Sequence, residues 1–249
     1  MTMNSLIKCN NLIANVPSVD FSGEGLDLEV ASGQIIVLTG AENMGKDDWL
    51  KTIGGLYYPV SGSLNFFGKN AAELNHDERS QLRKKLAYVT SELNLLSVIN
   101  GLANVMLPAI YHKIGDIEKI KSKALNLISK LGIDDDLEQL PADMQKDQRY
   151  LLLVVRSLML NPSILFLEKP FCQLDTISTE HFKSFLNHRV KQDNLTIIMS
   201  TQDINFIREY ADQVLFITLE KILSFTDVDD FFNSNNTQIT NFLGETHIL

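Results

Sequence analysis

One segment constrains this chain more than any other. The apolar run Gln34–Thr39, of strand length, passes without a break into Gly40-Ala41-Glu42-Asn43-Met44-Gly45-Lys46, and a helical pattern follows that stops at Gly54-Gly55. A strand, a G-x-x-x-x-G-K loop and a helix in that order form the arrangement that cradles a phosphate. Backbone N–H groups line the loop, a helix N-terminus stands behind them, and the lysine reaches the outer phosphates. Gly40, Asn43, Gly45 and Lys46 are therefore the expected anion-binding residues. The chemistry of the loop opposes its geometry. Asp47 stands where a Ser or Thr would ligate magnesium, Asp48 follows it, and Glu42 lies inside the loop. Like charges a few ångströms apart repel by roughly 4 kcal/mol at an effective dielectric of 20. ATP with magnesium is thus expected to bind weakly or not at all, and a glycine-turned connection that holds no ligand is the competing reading of the same residues.

Around this segment, short aliphatic runs alternate with turns and helical stretches. Strands are expected at Leu26–Val30, Ser63–Phe67, Leu86–Val89, Ser163–Leu167, Leu195–Met199, Gln213–Ile217 and Lys221–Ser224. Helices are expected near Ser178–Val190 and Ile204–Tyr210, and Ile117, Ile120, Ala124, Leu127, Ile128 and Leu131 recur at helical spacing before Gly132. Strands alternating with helices favour a parallel α/β sheet, and the helix-biased middle reads as an inserted subdomain. With no internal repeat and no Gly/Ser/Pro-rich linker, the 249 residues are expected to form one domain, with 91–160 inserted between 1–90 and 161–249.

Composition removes several function classes. With 45% hydrophobic residues the chain has ample material for a core, so disorder is excluded. The balance of 22 basic against 31 acidic side chains gives a net charge of −9, which argues against nucleic-acid binding by phosphate neutralisation. Cys9 and Cys172 form no metal-spaced pair and suit a reducing compartment. The five histidines show no ligand spacing, so no metal site is expected from them. The most apolar run, Leu151–Leu160, is broken by Arg156 and is too short to span a bilayer, and the N-terminal residues lack an apolar signal core. A soluble cytoplasmic protein is the expectation. Asp134-Asp135-Asp136 reads as a solvated helix start or loop, and Trp49 reads as a packing residue.

Taken together, four segments resemble the ATP-binding subunit of ABC transporters: GAENMGKDDWLKTIGGLYYPVSGSLNFFGK, LAYVTSELNLLSVINGLANVMLPA, LPADMQKDQRYLLLVVRSLMLNPSILFLEKPFCQLD and LTIIMSTQDINFIREYADQVLFI. Their order and spacing match the family's phosphate loop, Q-loop, signature helix, Walker B strand, D-loop and H-switch. The run EKPFCQLDTIS is similar to the branch that moves lipids between bacterial membranes. The resemblance implies an ABC-type P-loop NTPase fold: a mixed-sheet core, an N-terminal antiparallel β part and an inserted helical subdomain.

The resemblance also implies where the chemistry should lie, and there this chain departs from it. Ser91 stands at the Q-loop glutamine that contacts magnesium and the attacking water. The signature, whose serine and glycines present donors to the γ-phosphate in the opposing subunit, is Met144-Gln145-Lys146-Asp147-Gln148. Glu168 replaces the Walker B aspartate, Lys169 the catalytic glutamate and Gln202 the H-switch histidine, while the D-loop Leu174-Asp175 survives. Asn10 to Pro17 offers no aromatic to stack on adenine. A charged lysine cannot accept a proton from water, so no catalytic residue is expected. The resulting reading is a pseudo-ATPase serving as a structural or regulatory subunit beside a transmembrane permease, peripheral on the inner face of the membrane, paired with itself or with another ABC subunit. Lys46 and Lys169 are expected to pair with Asp47 and Glu168, because charges in an empty pocket need partners. Two alternatives remain open: a weakly active ATPase in an asymmetric heterodimer with an intact subunit, and a free-standing soluble binding module. Leu95, Leu96, Val98, Leu102, Val105, Met106 and Leu107 fall where the family docks its membrane partner, with no more than two or three of them expected at the surface.

Overall fold

A computed structural model describes residues 5–17, 21, 23–133 and 137–246. The acidic run Asp134–Asp136 lies outside the described residues. The elements run β1 (Ile7–Ile13), β2 (Leu26–Val30), β3 (Ile35–Thr39), α1 (Lys46–Ile53), β4 (Ser61–Phe66), β5 (Lys69–Asn70), α2 (His76–Lys85), β6 (Leu86–Val89), α3 (Gly101–Tyr111), α4 (Ile117–Lys130), α5 (Lys146–Leu158), β7 (Ile164–Glu168), α6 (Thr176–Asp193), β8 (Thr196–Ser200), α7 (Ile204–Tyr210), β9 (Gln213–Ile217), β10 (Ile222–Phe225), α8 (Val228–Phe232) and α9 (Thr237–Thr246). The strands and helices expected from the sequence are present with ends displaced by three residues at most.

The described strands form two sheets. One is antiparallel in the order β2-β1-β4-β5; the other has the order β10-β9-β3-β8-β7-β6. In the second sheet β9, β3, β8, β7 and β6 are parallel, and β10 alone joins antiparallel. Burial explains the two sequence styles. β2 alternates buried and exposed residues, as a half-covered antiparallel strand must, whereas β3, β7, β8 and β9 are buried along their whole length and read as continuous aliphatic runs.

Alternate side chains of these parallel strands feed two cores. Ile35 and Val37 face the helical side with Leu165, Leu167, Ile197 and Met199. Ile36 and Leu38 face the antiparallel sheet and α1 with Ile164, Phe166 and Ile198. The helices α3, α4 and α5 share the first of these cores through Leu102, Val105, Ile120, Leu127, Leu152 and Val155. Within that helical region Asn104 is fully buried. Its amide accepts from Leu96 N–H and donates to the carbonyls of Leu96, Ile99 and Asn100, so it fastens the loop that leads into α3.

Besides the two-residue β5, four elements have no readable periodicity, for physical reasons. β1 carries a register shift between Cys9 and Leu12, with Asn11 at φ 45°, which breaks its alternation. α2 buries no residue and is held instead by a capping box between Asn75 and Glu78, with acids in its first turn and bases in its last. α8 and α9 are short, and each reaches the first core through a few residues: Phe231 from α8, Ile239 and Phe242 from α9.

Candidate functional site

The C-terminal ends of the parallel strands converge on the glycine loop. β3 delivers Gly40, β7 delivers Glu168 and Lys169, β8 delivers Ser200 through Asp203, and the loop after β6 delivers Ser91. Ligands of open α/β sheets bind at this end, outside the strands' carboxyl termini. A cleft of about 510 Å³ lies there, lined by Glu42 to Asp48 of the loop and α1 with Lys169, Phe171, Cys172 and Ser200 to Asp203.

Two glycines shape the loop. Gly40 has φ 140° and packs so closely on the Ile217 carbonyl that no Cβ fits, and Gly45 has φ 72° with Val16 seated against it. Asn43 adopts the left-handed region at φ 61°, which its short polar side chain tolerates. Upstream of the loop Val16 packs against Gly45, and Phe21 packs edge-on against buried Trp49 at 5.2 Å.

The charged groups do not pair as the sequence suggested. Lys46 makes no ion pair with Asp47. Its Nζ donates to the Gly40 carbonyl at 3.0 Å and the Ala41 carbonyl at 2.5 Å, folding the ammonium onto its own loop. Lys169 pairs with Asp47, Nζ to Oδ2 at 2.8 Å, rather than with its neighbour Glu168. Glu168 faces Lys51 at 3.8 Å, a partner the sequence did not single out. The reason is the direction of side chains: Asp47 and Lys51 both lie on α1, on the turns that face the ends of β7 and β8, whereas Lys46 at the helix start points back into the loop.

Hydrogen bonds complete the arrangement. Ser200 Oγ donates to Asp47 Oδ1 at 2.7 Å, Gln202 Nε2 donates to the Gly40 carbonyl at 2.9 Å, and Ser91 Oγ donates to Glu168 Oε1 at 3.2 Å. Gln173 Nε2 donates to the Ser91 carbonyl at 3.0 Å, linking the strand-end loop after β6 to the segment that follows Lys169. Burial, reinforced by Asp47, holds the Glu168 carboxyl above the usual carboxylate range against the opposing influence of Lys51, Ser91 and Lys169. Burial likewise lowers the Lys46 ammonium, with Asp47 opposing, and raises the Asp48 carboxyl. The hydrogen bond to Asp47 raises Lys169.

The signature-like residues lie at the start of α5, away from this cleft. Met144 is buried with its methyl group against Gly101. The Gln148 side chain accepts from the Gln145 N–H at 2.9 Å, and the Asp147 carboxylate accepts from the Gln148 N–H at 2.8 Å. Lys146 opens the helix. Of the D-loop pair, Leu174 packs on the core and Asp175 caps α6 by accepting from Ser178 N–H at 2.7 Å.

Magnesium does not fit the donor set. Both oxygens of Asp47 are committed to Ser200 and Lys169, Glu168 Oε1 is committed to Ser91, and an ammonium already touches the position of the ion's hydroxyl ligand. Glu168 Oε2 is buried without a hydrogen bond but faces Lys51. Among the described residues no group of three or more His, Cys, Asp or Glu side chains is placed to hold a metal ion.

A glycine loop between a buried strand and a helix, on a mostly parallel sheet flanked by an antiparallel sheet and a helical region, defines a P-loop cassette of the α/β class. A family model described as ABC transporter matches residues 24–172. The chain belongs to the ABC transporter family, within its ATP-binding domain. It is 28% identical over 217 residues to the methionine import ATP-binding protein MetN 1 of Acinetobacter baylyi, covering 86% of this chain and 60% of that one. It is 31% identical over 204 residues to the macrolide export ATP-binding/permease protein MacB of Haemophilus ducreyi, covering 82% and 29%. The chain therefore spans less than two thirds of the length of these curated relatives. Its fold superposes with a TM-score of 0.79 on the dimeric ATP-binding cassette MJ0796 bound to ADP and Pi, at 22% identity over 88% of this chain and 97% of that one.

Proposed function

We propose that this domain has left ATP hydrolysis and serves as a structural or regulatory ATP-binding-subunit-like component of a membrane transport complex. The observation that carries the reading is Lys169, an ammonium pinned to Asp47 at 2.8 Å, where the family places the carboxylate that activates water. A general base contributes about 10²–10⁴-fold to such a reaction, and a protonated lysine contributes none of it. Phosphoryl transfer depends otherwise on a metal, an oriented water and charge stabilisation at the γ-phosphate. Asp47, Ser91 and Gln202 vacate those roles, and their side chains are instead engaged in hydrogen bonds within the chain.

The shape of the cassette is what persists. A groove of about 350 Å³ between β6 and α5, lined by Tyr88, Thr90, Glu92, Asn94, Arg156 and Leu160 among others, supports docking of a permease helix. Leu96 and Val98 are exposed nearby in sequence, while Leu102, Val105 and Met106 are core. We treat 91–160 as the insert that meets the permease, on a domain peripheral to the inner face of the membrane and paired with a second ABC subunit. Lipid cargo is supported by the run Glu168–Ser178 alone. The test is ATP hydrolysis by the purified chain, and by the complex it forms when co-expressed with its permease. Rates at the no-protein background are expected, and Lys169→Glu is expected to leave them there because the other roles stay vacant. Turnover that Lys46→Ala abolishes would overturn the reading. Monomeric protein that captures no membrane component would favour a free-standing binding module.

A further inference from the structure

In P-loop proteins the divalent ion sits between the hydroxyl residue after the loop lysine and the acidic residue at the end of the neighbouring strand. Asp47 and Glu168 stand at those two positions, and the Lys169 side chain already occupies the Asp47 side of the place between them. Lys169 Nζ lies 2.8 Å from Asp47 Oδ2, and its charge acts on both Glu168 and Lys46. Both ends of this pair are anchored to one rung of the sheet. Ser200 is the register partner of Glu168; its Oγ holds Asp47 Oδ1 at 2.7 Å, and its carbonyl accepts the Lys169 N–H at 3.1 Å. Lys169 itself sits at φ 46°, a left-handed conformation disfavoured for any residue with a Cβ and retained here because the surrounding bonds fix it.

We propose, resting on the reading of this cleft as a dismantled nucleotide site, that Lys169 is a tethered cation: its ammonium holds the Asp47 side of the divalent ion's position, balances Asp47 directly and Glu168 at longer range, and bars divalent metal from the cleft. One positive charge against two carboxylates is incomplete compensation, and Lys51 at 3.8 Å from Glu168 supplies the remainder from the other side. Removing the Lys169 charge while leaving both carboxylates creates the metal site that the native chain lacks, since magnesium-type ions are held by one or two carboxylates together with water.

The chain carries its own reporter. Trp49 is its only tryptophan, is fully buried, and follows Asp47 by two residues on α1. Terbium bound at Asp47 is therefore sensitised by indole excitation, whereas terbium on remote acidic surface is not. The full chain is titrated with Tb³⁺ in the absence of nucleotide, and Mg²⁺ is then added as competitor. The wild type is expected to show no indole-sensitised emission that Mg²⁺ displaces. Lys169→Gln and Lys169→Met are expected to bind at least about tenfold more tightly, and Glu168→Gln added to either is expected to abolish the gain. Lys169→Arg, which keeps the charge, should behave as wild type. Mg²⁺-displaceable emission from the wild type overturns the proposal whatever the variants do, and so does a folded uncharged variant that gains nothing. Hydrolysis is not read in this titration, so an active wild-type ATPase would defeat the functional reading while the metal result stood separately.

Discussion

Glu168, a residue only 6% exposed, ends β7 with a carboxyl held above the usual carboxylate range, first by burial and then by Asp47. A carboxyl raised in the folded state binds its proton more tightly there than in the unfolded chain. Folding stability from this group is therefore greatest below the unfolded value and is lost as pH rises through the raised, folded value. Thermal melts across that window should show the wild type losing stability relative to Glu168→Gln as pH increases, with the two converging at acid pH; parallel curves would contradict the assignment. Much of this neighbourhood was legible in the sequence. The glycine loop and its three added carboxylates are visible by spacing alone, and the lysine at the water-activating position through the resemblance to the ABC family. The partners were not, because pairing depends on which turn of α1 faces which strand end, and spacing along the chain carries no such direction. Lys46 turned to its own carbonyls, and Lys51 was drawn in from the next turn.

At the scale of the element, α2 shows what a helix needs when it meets the core through no more than partly buried Leu82. Its sequence HDERSQLRKK has no apolar stripe, and none of its residues is buried. Asn75 Oδ1 accepts from Glu78 N–H at 2.9 Å, Glu78 accepts from Asn75 N–H at 3.1 Å, and Lys69 adds an ion pair to Glu78. Asn75→Ala should destabilise the chain by about 1 kcal/mol, expressed as faster amide exchange within α2 and little change elsewhere. This element and β1 were illegible to periodicity for opposite reasons: α2 is organised by its ends, and β1 is organised by a bulge at Asn11 that shifts its register. The helix α4, whose apolar residues recur at helical spacing from Ile117 to Leu131, was legible for the contrary reason, since burial there follows the stripe.

The whole molecule is organised by one sheet with a core on each face. Phe166 is fully buried on one face and stacks on Tyr88 at 5.7 Å, while its neighbours Leu165 and Leu167 feed the other. Phe166→Ala should destabilise by about 3–5 kcal/mol, and Trp49 fluorescence and far-ultraviolet dichroism should still report one coincident unfolding transition. Two separate transitions would mean that the cores unfold independently. The pairing order of the same sheet bears on how the chain is made. β3 lies early in the sequence, yet its neighbours are β8 and β9, with Ile35 opposite Ile197 and Ile36 opposite Gln213. During synthesis the apolar strand that leads into the glycine loop must wait, unpaired, until the last third of the polypeptide has left the ribosome. Chains released before that point expose an adhesive edge, so this domain is one whose production depends on nascent-chain protection at its N-terminal third.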